Sequence, residues 1–239
     1  MEEPESNRTR IIEWLGGHEL TVLTGMLIVT GGVWIYVALS TAVMGGTLDH
    51  FDESVVRSMR QPDDAMQPRG PDWFNEMARD ITAMGGYTIL LIIILGVSGF
   101  LWLNKKYYAM WFLIAATITG YLFMMSLKVI MDRPRPDFVS QLSHTHSASF
   151  PSGHSMMAAI VYLTCGALLT RMSEKRRIKF YFLAVPMLIT LLVGMSRVYM
   201  GVHFPTDVLA GWTAGLVWAT ACWLMARWMQ NRGWVDQSL

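Results

Sequence analysis

The sequence predicts an all-α membrane protein, a six-transmembrane-helix bundle with an amphipathic extracytoplasmic loop region between the first two helices. Three observations lead there. Of 239 residues, 53% are hydrophobic and only 15% charged, with a mean hydropathy of +0.34, whereas soluble domains carry about 25% charged residues. Six stretches, 20–44, 87–104, 107–131, 154–171, 178–199 and 207–229, approach the roughly 20 apolar residues that span a bilayer. Polar breaks separate them, and two of these, Asn104-Lys105-Lys106 and Ser173 to Lys179, are short enough to force antiparallel neighbours.

Taken in order, residues 1–19 form a polar tail, and the first apolar run follows at Leu20. That run exceeds the roughly 7–15 residues of a signal-peptide core, so it reads as a retained helix. The break at 45–86 is the one long connection. Phe51, Val55, Val56 and Met59 recur at helical spacing within it, as do Trp73, Phe74, Met77 and Ile81. Two roles fit such segments: lying flat in the interface, or packing as a cap over the bundle, where they could shape substrate entry. The third to sixth spans cross in alternating directions, which brings the end of the third, the start of the fourth and the link from fifth to sixth to one side of the membrane.

Lysine and arginine set the orientation. Arg8, Arg10, Lys105, Lys106, Arg171, Lys175, Arg176, Arg177, Lys179, Arg227 and Arg232 fall on one side, and the remaining eight on the other. The positive-inside rule puts the larger group and both termini in the cytoplasm, with the opposite face extracytoplasmic. The expectation is a multi-pass protein of the cell (inner) membrane. A net charge of +1 argues against nucleic acid as a partner. Cys165 and Cys222 lie in apolar runs and read as packed thiols. No metal-ligand spacing is present, so neither metal nor cofactor is expected.

Three stretches on the extracytoplasmic side carry chemistry. The first runs from Lys128 to Arg135-Pro136. A lysine at a membrane end is costly without a partner, although snorkelling would explain Lys128 alone. The prolines make 133–136 rigid and extended. One of Arg133 and Arg135 should point into a pocket, and the other should pair with Asp132 or lipid headgroups; spacing alone does not say which. The second stretch, Pro151-Ser152-Gly153-His154, directly precedes a helix. Ser152 can cap that helix, Gly153 lets backbone N–H groups approach an anion, and His154 stands beside the seat so formed. The third contains Ser196-Arg197, His203, Pro205 and Asp207. Pro205 suits a first helical turn. A carboxylate at Asp207 can fix the His203 tautomer and free the other ring nitrogen to attack. A His–Asp pair that only ties a loop to a helix is the plainer alternative. Together these groups suit gripping a phosphoryl group and transferring it through a histidine.

The spacings K-x6-R-P, P-S-G-H and S-R-x5-H-x3-D, in this order and on one face, resemble the type 2 phosphatidic acid phosphatase (PAP2) family, whose site is shared with vanadium haloperoxidases and some bacterial acid phosphatases. The resemblance is strong over 128–207, and the span layout extends it to a single domain, 1–239, with a cytoplasmic tail at 1–19 and a cap at 45–86. It implies that His203 is the nucleophile, forming a phosphohistidine, and that Asp207 orients it. His154 would protonate the leaving group and then activate water. Lys128, Arg135, Arg197, Ser152 and the Gly153 N–H would hold the phosphate, without a metal. The implied substrate is a membrane lipid phosphate: a phosphatidate, a phosphatidylglycerophosphate or a polyprenyl (undecaprenyl) diphosphate. A lipid phosphotransferase using the same site is the alternative, and a non-catalytic lipid binder or transporter the more distant one. His144 and His146 read as solvated loop residues, His18 and His50 as interfacial. Gly211-x-x-x-Gly215 suits close packing inside the bundle, with a homodimer face as the alternative.

Overall fold

The apolar stretches are helices in the computed structural model, which describes residues 18–136 and 148–232. The elements are α1 (His18–Met44), α2 (Asp49–Ser58), α3 (Asp72–Ala83), α4 (Tyr87–Leu103), α5 (Tyr107–Met131), α6 (Gly153–Thr170), α7 (Arg176–Tyr199) and α8 (Pro205–Asn231). Among the described residues, the only strand-like pairing is a single bridge between Arg60 and Pro68. Each predicted span matches a helix to within about two residues, the normal fraying of helix ends.

Five helices, α1 and α5 to α8, are individually long and apolar enough to cross a membrane. The protein is thus a multi-pass membrane protein. The second expected span, 87–104, is the apolar but shorter α4, 17 residues long and bent 51° from α3 at the intervening break. Large apolar side chains face outward, with Trp34 72% and Val129 78% exposed. Such exposure suits lipid, which solvates side chains of this kind as readily as a core does.

α6 lies at the centre, against α5, α7 and α8, while α1 packs on α8. Its small residues permit this. Ser155, Ala158 and Ala159 are buried. Facing them on α8 are Gly211 and Gly215. A Cβ on Gly211 would lie 2.7 Å from the Ser152 carbonyl, and one on Gly215 would lie 2.6 Å from Ala159 Cβ and 2.7 Å from the Met156 carbonyl. The glycine pair is therefore spent on helix contact within one chain. Two indoles in the bundle bond to backbone carbonyls, as a low-dielectric setting favours: Trp212 Nε1 donates to the Thr190 carbonyl at 2.9 Å and Trp218 Nε1 to that of Ala116 at 3.0 Å. Cys165 and Cys222 are free thiols, the first buried and the second half-buried.

The segment between α1 and α4 is a cap packed over the bundle. α3 lies on α7 and α2 on α8. Val56 and Ala78 point inward and are buried, while Phe51, Trp73 and the side chain of His50 are exposed. Arg60, just after α2, is buried and donates to the Tyr199 carbonyl. A cation there satisfies an orphan carbonyl at the negative end of α7. The Tyr199 hydroxyl in turn donates to the Arg69 carbonyl at 2.8 Å. The cap thus grips the end of α7 just before the loop that carries His203.

The tight fit at Gly215 generates a test. Gly215→Val should lower the melting midpoint in detergent by an amount corresponding to roughly 1–3 kcal/mol, the usual cost of overpacking. A variant that melts normally but changes its oligomeric state would return the glycine face to a second copy.

Candidate active site

Four helix ends, those of α5 and α7 and the starts of α6 and α8, meet under the cap with the segments that join them. α5 stops where Asp132 adopts a left-handed conformation, φ 37° and ψ 38°, unusual for a residue other than glycine. The chain then runs extended through Arg133-Pro134-Arg135-Pro136. Its backbone is tied to the segment before α6 by the Ser149 N–H, which donates to the Arg133 carbonyl at 2.8 Å. The Ser152 N–H donates to the Asp207 carbonyl at 2.9 Å, joining the second stretch to the third. After α7 the chain turns through Gly201, whose φ of +71° favours glycine, and reaches His203 two residues before α8.

His203 is 1% exposed and Asp207 0%. Asp207 Oδ2 accepts from the Ser149 hydroxyl at 2.5 Å and from the Phe204 N–H at 2.9 Å. His203 Nδ1 lies 3.2 Å from Ser149 Oγ and 3.4 Å from Asp207 Oδ2. Because the serine proton is committed to the carboxylate, the network places the ring proton on Nδ1 and leaves the lone pair on Nε2. Burial, with Arg197 and Arg135 adding to it, pulls the His203 pKa down to about 3 against the support of Asp207. The imidazole is neutral at working pH, as an attacking nitrogen must be.

The cations gather on the same side. Arg135 and Arg197 are electrostatic neighbours of both His203 and Lys128. Lys128 Nζ donates to the Ala148 carbonyl at 2.6 Å, and Arg135 Nη1 to that of Val202 at 3.2 Å. Burial lowers the Arg135 pKa, partly offset by Asp207 and Tyr87. Arg197 is 6% exposed, and its Nε has no hydrogen-bond partner. Among the described residues, neither Lys128 nor Arg197 has a carboxylate within salt-bridge distance. Buried cations so placed suit an anion. His154, on the first turn of α6, shares the electrostatic environment of Arg197, His203, Arg135 and Lys128. The first N–H groups of α6 have no partner within the helix. All eight sequence-predicted site residues therefore converge.

Two expectations change. Arg133 pairs with Asp207 and Asp52 rather than with Asp132. Its Nη1 donates to Asp207 Oδ1 at 2.8 Å and to Thr206 Oγ1 at 2.9 Å, and its Nη2 to Asp52 Oδ2 at 2.8 Å. Alternate residues of an extended chain face opposite ways, so Arg135 turns to the cations and Arg133 to the carboxylates behind them. Ser152 stands at the N-cap of α6, but its hydroxyl makes no capping bond and accepts from Ser155 Oγ at 3.0 Å instead. Ser149 and Asp52 escaped the sequence reading altogether. His144 and His146 lie outside the described residues.

Four transmembrane helices ending around a buried His–Asp pair and a cationic cup define an integral-membrane phosphatase of one family. Residues 109–232 match the PAP2 superfamily, and the chain belongs to it. It is 33% identical over 189 residues to "Phosphatidylglycerophosphatase B" of Bacillus subtilis (strain 168), covering 76% of this chain and 86% of that one. It is 29% identical over 147 residues to "Lipid A 1-phosphatase" of Rhizobium johnstonii, covering 54% and 56%. The crystal structure of a transmembrane PAP2-type phosphatidylglycerolphosphate phosphatase from B. subtilis superposes with a TM-score of 0.73 at 29% identity, over 88% of this chain and 98% of that one.

Between about pH 6.5 and pH 3 the unfolded chain binds a proton at residue 203 that the folded protein refuses. Stability should therefore be intact above the unfolded pKa and fall as pH drops toward the folded one. Melting midpoints in detergent measured from about pH 7 down to about pH 4 should decline, and His203→Asn should flatten part of the decline. Identical slopes for the two proteins would contradict a buried neutral imidazole.

Proposed function

We propose that this chain hydrolyses a phosphomonoester or diphosphate of a membrane lipid through a phosphohistidine at His203. The observation that carries the reading is the neutral His203 ring, held through Nδ1 by Asp207 and Ser149, with Arg197 and Arg135 as electrostatic neighbours. Phosphoryl transfer has a loose transition state, so catalysis is mainly positioning and charge stabilisation. Nε2 attacks phosphorus in line with the leaving oxygen. Lys128, Arg135, Arg197 and the Gly153 N–H hold the non-bridging oxygens as charge spreads over them. Bound phosphate offsets the surrounding cations and lets His154 take up a proton, which it gives to the departing oxygen; the neutral ring then takes a proton from water, which attacks phosphorus and breaks the P–N bond. His203 is regenerated, and inorganic phosphate leaves. Asp207 stabilises the imidazolium character that develops on His203 during attack.

The lipid reading rests on place. With α4 counted as a sixth span, the cup lies where headgroup phosphates reside, and the positive-inside bias makes that face extracytoplasmic. Beside the Arg197 end of α7, an apolar cleft of about 510 Å³ lies between the cap and the bundle, lined by Met59, Phe74, Met77, Met195, Ser196 and Trp212. Its size and lining suit an alkyl chain. The two relatives are named for phosphatidylglycerophosphate and lipid A, which supports a lipid phosphate without choosing among phosphatidate, phosphatidylglycerophosphate and undecaprenyl diphosphate. Transfer to an acceptor lipid would share the first half-reaction.

Purified protein offered a panel of lipid mono- and diphosphates should release inorganic phosphate. His203→Ala should reduce this by more than the roughly 10²–10³-fold that loss of one oxyanion donor costs. Turnover retained in that variant would refute the nucleophile, and a new phospholipid in place of free phosphate would establish transfer. Vanadate should inhibit and chelators should not, since a cup of three cations repels a divalent metal. Loss of activity on chelation would refute the metal-free route.

A further inference from the structure

Phe204 at the N-cap of helix α8 makes no side-chain cap bond, and Asp207 accepts the Phe204 N–H, which leaves the Thr206 N–H of the first turn to be met from elsewhere. The need is met from 154 residues away. Asp52, on cap helix α2, accepts the Thr206 N–H at 3.1 Å through Oδ1 and the Thr206 hydroxyl at 2.5 Å through Oδ2. Oδ2 also accepts from Arg133 at 2.8 Å. Asp52 is fully buried, and its carboxylate faces the positive end of α8. The same guanidinium grips Asp207 Oδ1, and the Phe204 ring lies 4.5 Å beneath it. Asp49, on the same turn of α2 but exposed, adds a longer contact of 3.3 Å. A planar fork held on both sides cannot rotate, so it fixes the plane of the Asp207 carboxylate. That plane decides where Oδ2 meets Ser149 and His203.

We propose that Asp52 is a positioning residue for the reaction: through Arg133 and Thr206, the cap orients Asp207 and hence the attacking imidazole. This rests on the reading of His203 as nucleophile with Asp207 behind it. It gives the 45–86 cap a part in the chemistry, whatever it does for substrate entry. Asp52 reaches Asp207 through Arg133 and Thr206 and is fully buried, so it acts without contact to the lipid phosphate. The expected signature is therefore a loss in turnover with unchanged substrate binding.

The test uses the full chain in detergent with a short-chain phosphatidate. Asp52→Asn keeps the shape and an acceptor for the Thr206 N–H but removes the charge that balances Arg133. It should lower kcat about 10²-fold, the scale of a small misplacement of a reacting group, with KM changed less than about twofold. In an Asp207→Asn background the same change should add less than about twofold, since two residues acting through one contact are not additive. Arg133→Lys keeps the charge but cannot span two carboxylates. It should behave alike, and it decides the matter if Asp52→Asn does not accumulate as folded protein. Wild-type kcat in either variant, or losses that multiply in the double variant, would overturn the proposal and leave Asp52 as a prop of the fold. If His203→Ala is dead while Asp52→Asn is normal, only this proposal fails; if His203→Ala turns over, the mechanism beneath it fails.

Discussion

The carboxylate of Asp207 is the constraint on which the site depends. It is wholly buried and accepts from the Arg133 guanidinium, the Ser149 hydroxyl and the Phe204 N–H, with His203 Nδ1 beside them. An ionised carboxylate taken from water costs several kcal/mol unless charge and hydrogen bonds offset the loss. Here both oxygens have donors, Arg133 at Oδ1 and Ser149, Phe204 N–H and His203 at Oδ2, and these come from three separate segments. Removing any one would leave a buried charge short of partners, so the first stretch, the segment leading into the second, and the third hold one another in place through this single group.

Behind and in front of Asp207, charge is arranged oppositely. On the cap side, Arg133 is balanced by Asp52 and Asp207, with Asp49 at the edge. That cluster is closed, and Asp207 holds the Arg133 pKa up despite the burial that acts against it. On the other side, among the described residues, Lys128 and Arg197 have no carboxylate within salt-bridge distance, and Arg197 Nε has no hydrogen-bond partner. Crowding like charges in a buried place is unfavourable, and a bound anion would relieve it. The neutral His203 stands at the boundary between the two layers. In the proposed mechanism it adds no further positive charge before attack and gains support from Asp207 as attack proceeds.

Much of this was legible in the sequence, because it rests on local or periodic signals. Span lengths follow from apolar runs, and α5 runs from 107 to 131 as those runs indicate. The two cap helices follow from the 3.6-residue recurrence of Val55, Val56 and Met59 and of Phe74, Met77 and Ile81. Span parity brought the motif ends together without any long-range information. What stayed hidden were contacts between residues far apart in the chain. Asp52 reaches Thr206 across 154 positions, and Ser149 reaches His203 across 54. A signal for Asp52 did exist: it lies one helical turn before Val56 on the buried face of α2, and an acid on an apolar face demands a partner. The opposite duties of Arg133 and Arg135 could likewise have been inferred from their alternation in an extended, proline-bound segment. Ser149 carried no comparable mark.

The central claim is that the His203 imidazole becomes covalently phosphorylated. The most direct measurement is to quench the enzyme during turnover of a lipid phosphate at alkaline pH, where phosphohistidine survives, and to map the modified residue by mass spectrometry. The account predicts phosphate on residue 203, lost on acid treatment and accumulating when His154→Ala slows the water step. Turnover through a site that never carries phosphate at residue 203, in the wild type or in that variant, would contradict it.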